Sequence, residues 1–207
     1  REQSPIDLTS ATQTDLPAMD SRVAGQQGIS DLIDNGHGIQ INAKPGDLLT
    51  VGDDTYALLQ FHFHAPSEHT VEGDHFPMEI HFVHRAENGA LAVIGVFVEE
   101  GAQNSVIAPI TEQLTHLTDN AATVEIPAGL ADAIFPSGSS GFYHYDGSLT
   151  TPPCSEGLKW YVSKTPTLLS KDQIAAFTAI YDHNNRPVQP LNARTLYRDE
   201  NPIVTVH

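Results

Sequence analysis

Gln60-Phe61-His62-Phe63-His64 and Glu79-Ile80-His81-Phe82-Val83-His84, separated by a loop carrying Pro66, Gly73 and Pro77, set the architecture of this chain. Both segments alternate. In a β-strand, residues i and i+2 point to the same face. The first segment therefore puts Gln60, His62 and His64 on one side and Phe61 and Phe63 on the other. The second puts Glu79, His81 and Val83 on one face and Ile80, Phe82 and His84 on the opposite one. Further strand signals lie on either side. Asp47–Val51 and Thr55–Ala65 flank Gly52-Asp53-Asp54, which reads as a hairpin loop. Met78–Arg85 and Leu91–Val98 flank Glu87-Asn88-Gly89, with Asn-Gly at the turn. Leu91–Val98 has no polar side and reads as a strand buried on both faces. Phe142–Tyr145 and Leu158–Val162 continue the pattern. Helix signals are fewer. Ser170 followed by Gln173 is a capping box, with Ile174, Phe177, Ile180 and Tyr181 behind it at helical spacing. Ser105 is expected to cap a second helix, with Pro109 in its first turn. The expected class is mainly β (α+β): one domain with a central sheet and short peripheral helices.

Composition agrees. With 207 residues, 40% of them apolar and 17% charged, the chain is long enough for one sizeable core and is not disordered. Ten Lys and Arg against 26 Asp and Glu leave a formal charge of −16. That charge repels phosphate backbones and anionic lipid, which argues against nucleic acid and membrane partners. The longest apolar run falls far short of the roughly 20 residues that span a bilayer. A single cysteine, Cys154, excludes an internal disulfide framework and any Cys-rich zinc module. The chain opens at Arg1-Glu2-Gln3 without Met. Read as a processed form whose leader has been removed, it is expected to be periplasmic or secreted.

The chemistry lies in the histidines. If the two alternating strands are neighbours, His81 meets His62 and His64, and three imidazoles surround one point. Three neutral ligands suit Zn2+ and leave a fourth tetrahedral position for water, the pattern of a catalytic rather than a structural site. Gln60 and Glu79 each stand two residues from a ligand on the same face, where they can accept the second ring N–H and fix the tautomer. His-x-His with a later His also occurs in cupin-type barrels. Spacing alone therefore leaves zinc and open-site iron both possible.

The motifs extend over nearly the whole chain. Gln3-Ser4-Pro5-Ile6, Gln60 to His64, Ser67-Glu68-His69-Thr70-Val71, Glu79 to His84, Gly147-Ser148-Leu149-Thr150-Thr151-Pro152-Pro153-Cys154 and Asn185-Arg186-Pro187-Val188-Gln189-Pro190-Leu191-Asn192 stand in one order. Together they closely resemble the α-class carbonic anhydrases, and the bacterial branch in particular. The resemblance implies one domain over 1–207 with a mostly antiparallel, twisted sheet of about ten strands. It implies reversible hydration of carbon dioxide to bicarbonate and a proton by zinc hydroxide, with Zn2+ on His62, His64 and His81.

The resemblance also assigns roles that spacing does not. Thr150 resembles the residue that accepts a hydrogen bond from zinc hydroxide, and Glu68 the carboxylate that receives the Thr150 proton. His37, in Asn35-Gly36-His37, resembles the shuttle that carries the proton out; an imidazole suits this because it titrates near neutrality. Val83, Val93, Leu149 and Trp160 resemble the apolar pocket for CO2, and Thr151 the neighbour of bound bicarbonate. His69, His75, His84, His116, His144 and His183 read as packing or surface residues. The family normally carries a further stretch before Gln3, with aromatic residues at the cleft mouth and, in bacterial relatives, a cysteine that pairs with the equivalent of Cys154. A homodimer is common among bacterial relatives. The competing class is a carbonic-anhydrase-like binding protein without catalysis, whose relatives characteristically lack one or more zinc histidines; all three are present here.

Overall fold

The computed structural model describes residues 1–17, 19–22, 28–117, 120–127, 130, 134, 141–201 and 204–205. Strand formation dominates because the alternating segments have polar residues on one face and large apolar ones on the other. Ten strands lie side by side. Their order across the sheet is Thr12–Gln13, Tyr197–Asp199, Phe142–Ser148, Glu156–Ser163, Leu91–Glu100, Met78–Arg85, Asp54–His64, Ile39–Asn42, Gly28–Asp34 and Ala121–Ile126. Met19–Arg22, Leu48–Val51, Thr167–Leu169 and Val204–Thr205 branch from this path and make the sheet fourteen-stranded among the described residues. The sheet is mixed and mostly antiparallel. Its parallel ladders include the two that join Leu91–Glu100 to Glu156–Ser163 and to Thr167–Leu169.

The apolar run is central, as its composition predicts. Leu91–Glu100 lies between Met78–Arg85 and Glu156–Ser163, and Ala92 to Val98 are buried. The two alternating strands pair antiparallel with His62 opposite His81, Phe61 opposite Phe82 and His64 opposite Glu79. That register divides the sheet into two faces. On one, Phe61, Phe63, Ile80, Phe82, Ile94 and Val96 form the larger core together with Ile107, Ile110 and Phe177 from two helices. Phe61 stacks on Phe82 with ring centroids 5.3 Å apart, and Phe63 on Phe177 at 4.3 Å. On the other face, Val83, Val93, Tyr145, Trp160 and Val162 form a second core closed by Ile6, Leu8 and Leu196.

The capping box at Ser170 forms as expected. Ser170 Oγ accepts from the Gln173 N–H at 3.3 Å, Gln173 Oε1 accepts from the Ser170 N–H at 3.1 Å, and the helix runs Lys171–Thr178. The expected cap at Ser105 is corrected. The helix is Ala108–Leu114, with Pro109 in its first turn, and Asn104 organises its approach. Asn104 Oδ1 accepts from the N–H groups of Val106 and Ile107, and Gln173 bonds the Asn104 backbone at both its N–H and its C=O. The N-cap residue is Ile107, no side chain caps the helix, and Asn104 instead closes the turn ahead of it, its side chain accepting from amides two and three residues on. Among the described residues no helix is long and apolar enough to cross a membrane.

Candidate metal centre

The sheet register brings His62, His64 and His81 together. Their ring centroids are 5.0, 5.2 and 4.7 Å apart pairwise, and one nitrogen from each lies within 4.8 Å of the others. Each ring is held from behind. His62 Nδ1 meets Gln60 Oε1 at 2.8 Å, and His64 Nδ1 meets the Asn184 carbonyl at 3.2 Å. His81 Nε2 lies 3.0 Å from Glu79 Oε1, at contact distance but off the line of a good hydrogen bond. Acceptors thus take the outer nitrogens of His62 and His64, and Glu79 lies against that of His81, which leaves His62 Nε2, His64 Nε2 and His81 Nδ1 as the inward lone pairs. His64 Nε2 is buried and has no partner, an arrangement that costs free energy unless something binds there. A ligand-poor nitrogen between two others suits a divalent ion.

A second group, His69, Glu79 and His81, is equally close. It makes a poorer site because both His69 nitrogens are occupied: Nδ1 by Glu79 Oε1 at 2.7 Å and Nε2 by the Tyr145 hydroxyl at 2.6 Å. Tyr145 in turn donates to Ser4 Oγ at 2.9 Å. These residues serve the first group by fixing Glu79, whose Oε2 also accepts from the N–H groups of Glu68 and His69 at 2.9 Å each.

The electrostatics follow from burial and this partnering. Burial holds His62 well below the ordinary imidazole range, and the neighbouring His64 and His81 push it further. Burial also lowers His64, against the pull of Glu68. His81 goes the other way: burial lowers it, but the charge and contact of Glu79 outweigh burial and raise it. Glu79 is held well below the carboxylate range, because His69 and His81 outweigh its own burial. Two neutral imidazoles, and a third that shares its proton with a carboxylate, give up little to accept a cation.

Glu68 is buried beside this cluster. Its Oε1 accepts from the Arg186 N–H at 2.8 Å. Its Oε2 has no hydrogen-bond partner and stands 3.6 Å from His64 Nε2 and 3.8 Å from His81 Nδ1. Thr150 follows the Phe142–Ser148 strand on a loop tied by Leu149 N–H to Ser155 O and by Cys154 N–H to Thr151 O. Among the described residues no hydrogen bond joins Thr150 to Glu68, so the expected proton contact between them is not formed here. The expected apolar residues do assemble. Val83, Val93 and Trp160 stand in register on three adjacent strands, next to the row holding His81. The Trp160 ring lies edge-on to His81, with centroids 4.8 Å apart, and its N–H donates to Ser148 O. Leu149 and Thr151 are partly buried on the Thr150 loop. His37 is exposed, in the turn before the Ile39–Asn42 strand, whose Gln40 lies opposite His62. Cys154 forms no disulfide among the described residues.

Sequence reasoning missed several contributors. His69, which reads as a packing or surface residue, instead holds Glu79, with Tyr145 behind it. Asn184 stands one residue ahead of the Asn185–Asn192 motif. Arg186 lies inside that motif, and neither residue reveals its backbone partner. Gly95 had a signal: an isolated glycine within a strand marks close approach. It lies opposite His81, and a Cβ there would stand 2.7 Å from Glu79 Oε1.

Residues 1–200 match a family model described as eukaryotic-type carbonic anhydrase. A carbonic anhydrase of Pectobacterium carotovorum is 42% identical over 197 residues, covering 95% of this chain and 79% of that protein. One of a Nostoc species is 41% identical, covering 94% and 74%. Among solved structures, the α-carbonic anhydrase of Thermovibrio ammonificans in complex with the inhibitor sulfanilamide superposes with a TM-score of 0.87 at 37% identity, over 95% of this chain and 86% of that one.

Proposed function

This chain belongs to the eukaryotic-type, or α, carbonic anhydrase family, and we propose that it hydrates carbon dioxide reversibly at a Zn2+ held by His62, His64 and His81. The observation that carries this reading is the set of inward nitrogens, left over once Gln60, Asn184 and Glu79 have engaged the outer ones. A Zn2+ bound by these three uncharged residues would keep its full double charge and would acidify the water it holds. The common iron sites include a carboxylate ligand, whereas the three inward nitrogens here are all imidazole and Glu79 lies against the outer nitrogen of His81.

The remaining residues divide the work. Val83, Val93, Leu149 and Trp160 offer an apolar wall, the right surface for a molecule with no charge and no net dipole. Thr150 orients the attacking oxygen by donating its own proton elsewhere and accepting at its Oγ1. Glu68 Oε2 is the unpartnered acceptor available for that proton. Thr151 borders the product. His37 receives the proton released at the metal and passes it to bulk buffer, through water and without touching the metal.

Stopped-flow CO2 hydration before and after zinc chelation, with metal analysis alongside, tests the reading. The expected result is one zinc per chain, loss of hydration on chelation and recovery on adding zinc back. Full hydration by metal-free protein would refute it. Stoichiometric zinc with no hydration would establish the silent binding protein instead.

A further inference from the structure

Asn184 touches the metal strand and the His37 turn at once. Its backbone carbonyl accepts from His64 Nδ1 at 3.2 Å. Its side chain reaches elsewhere: Nδ2 donates to Phe63 O at 3.1 Å and to His37 O at 3.0 Å, and Oδ1 accepts from the Ala65 N–H at 2.9 Å. Both amide hydrogens and the amide oxygen are therefore used. Phe63 and Ala65 flank the metal ligand His64 on the same strand, so one carboxamide grips the ligand's two neighbours and the turn together.

The turn is stiff in its own right. Asn35 Oδ1 accepts from the His37 and Gly38 N–H groups at 2.9 and 3.0 Å, while Asn35 Nδ2 donates to Gln40 Oε1 at 3.1 Å. Asp34 Oδ1 takes the Gly36 N–H at 2.9 Å and the Tyr181 hydroxyl. Such a unit moves as a body, and Asn184 fixes where it sits relative to the metal strand. Gly38 makes the approach possible: a Cβ there would lie 2.9 Å from Asn184 Nδ2 and 3.2 Å from Phe63 O.

We propose that the Asn184 side chain is a positioning residue for proton removal, setting the spacing between the metal strand and the His37 turn across which the proton travels. The proposal rests on the reading of His37 as proton acceptor. In that step the proton leaves the metal site, crosses bridging water to the neutral His37 ring, and leaves the ring for a buffer base. A water chain works only while each link is within hydrogen-bond reach, so drift of the turn slows transfer without touching the hydration step. A misplacement of about 1 Å can cost up to about a hundredfold in rate.

The test uses the zinc-loaded full chain in dilute buffer. There kcat includes proton removal, whereas kcat/KM ends with bicarbonate release. Asn184→Ala keeps the backbone carbonyl behind His64 and is expected to lower kcat about tenfold and kcat/KM by a smaller factor, with kcat restored by added imidazole. Asn184→Asp keeps the acceptor for the Ala65 N–H but sets an oxygen against two carbonyls, and is expected to lose at least as much kcat. Gly38→Ala pushes the carboxamide away from the turn side and is expected to show the same split, so the test survives failure of one variant to fold. In a His37→Ala background, Asn184→Ala is expected to lower kcat no further. Amide resonances, on zinc-loaded and metal-free protein, are expected to shift together at Gly36 to Gly38 and to hold at Phe61 to Phe63. Equal falls in kcat and kcat/KM, additivity with His37→Ala, or unmoved resonances in the turn would each overturn the positioning role. Full kcat in His37→Ala would overturn the underlying reading of His37 instead.

Discussion

The two faces of the Asp54–His64 and Met78–Arg85 strands share one backbone and follow opposite rules. On the helix-covered face, Phe61, Phe63, Ile80 and Phe82 are placed by shape alone. On the other, His62, His64 and Glu79 are placed by named hydrogen-bond partners, and His81 by its close contact with Glu79. His81 and His84 make the contrast within one strand. His84 lies among apolar side chains, with Nδ1 against Phe82 O at 2.9 Å, and burial pushes it down to about 4. His81, equally buried, is raised because Glu79 outweighs its burial. The same side chain becomes a neutral packing element or a cation-ready ligand according to the side of the pleat on which it falls.

That contrast can be broken. Removing a ligand should destroy function and spare the core: His81→Ala is expected to lower hydration by more than about a thousandfold and abolish stoichiometric zinc binding, read by the same kinetic assay and metal analysis, while circular dichroism still reports a folded sheet. Removing a core ring should do the reverse. Phe61→Ala is expected to cost about 3–5 kcal/mol of stability, measured by urea unfolding, with zinc stoichiometry of the folded fraction unchanged.

Two smaller effects sharpen it. An unfolded His84 takes up a proton near pH 6.5, whereas the folded one resists until about 4. Between those values the unfolded chain binds more protons, so stability is full above 6.5 and declines as pH falls to 4, by roughly 3 kcal/mol from this residue. His84→Gln is expected to flatten that slope when unfolding of metal-free protein is compared at neutral and acid pH; an unchanged slope would mean the imidazole is not held neutral by the core. Gly95→Ala inserts a Cβ 2.7 Å from Glu79 Oε1. It is expected to weaken zinc affinity about 10- to 100-fold, as measured by chelator competition, with little change in unfolding midpoint. The reverse outcome would assign Gly95 to packing.

Much of this was legible in the residues because it is local. Alternation over Gln60 to His64 and Glu79 to His84 identified the strands, their faces and the three-histidine set. The capping box at Ser170 announced its helix through a contact three residues long. The local reading failed at Ser105, because Asn104 takes the Val106 and Ile107 amides of the preceding turn and is itself tied to Gln173 of the other helix. At Gly95 it offered only an isolated glycine within a strand; what that empty Cβ position admits is Glu79, which arrives from the adjacent strand.

By itself the sequence determined which side chains share a face and which of them can hold a cation, since both follow from the two-residue repeat of an extended backbone and from ligand chemistry. Only the tertiary structure decided what stands behind the candidate ligands and the carboxylate beside them: the Asn184 carbonyl behind His64, 120 residues away, and the Arg186 N–H behind Glu68, 118 residues away. Backbone N–H and C=O groups are the same in every residue, so no pattern of side chains encodes which of them will face a given ring. That choice is made when distant segments pack and buried polar atoms must find partners.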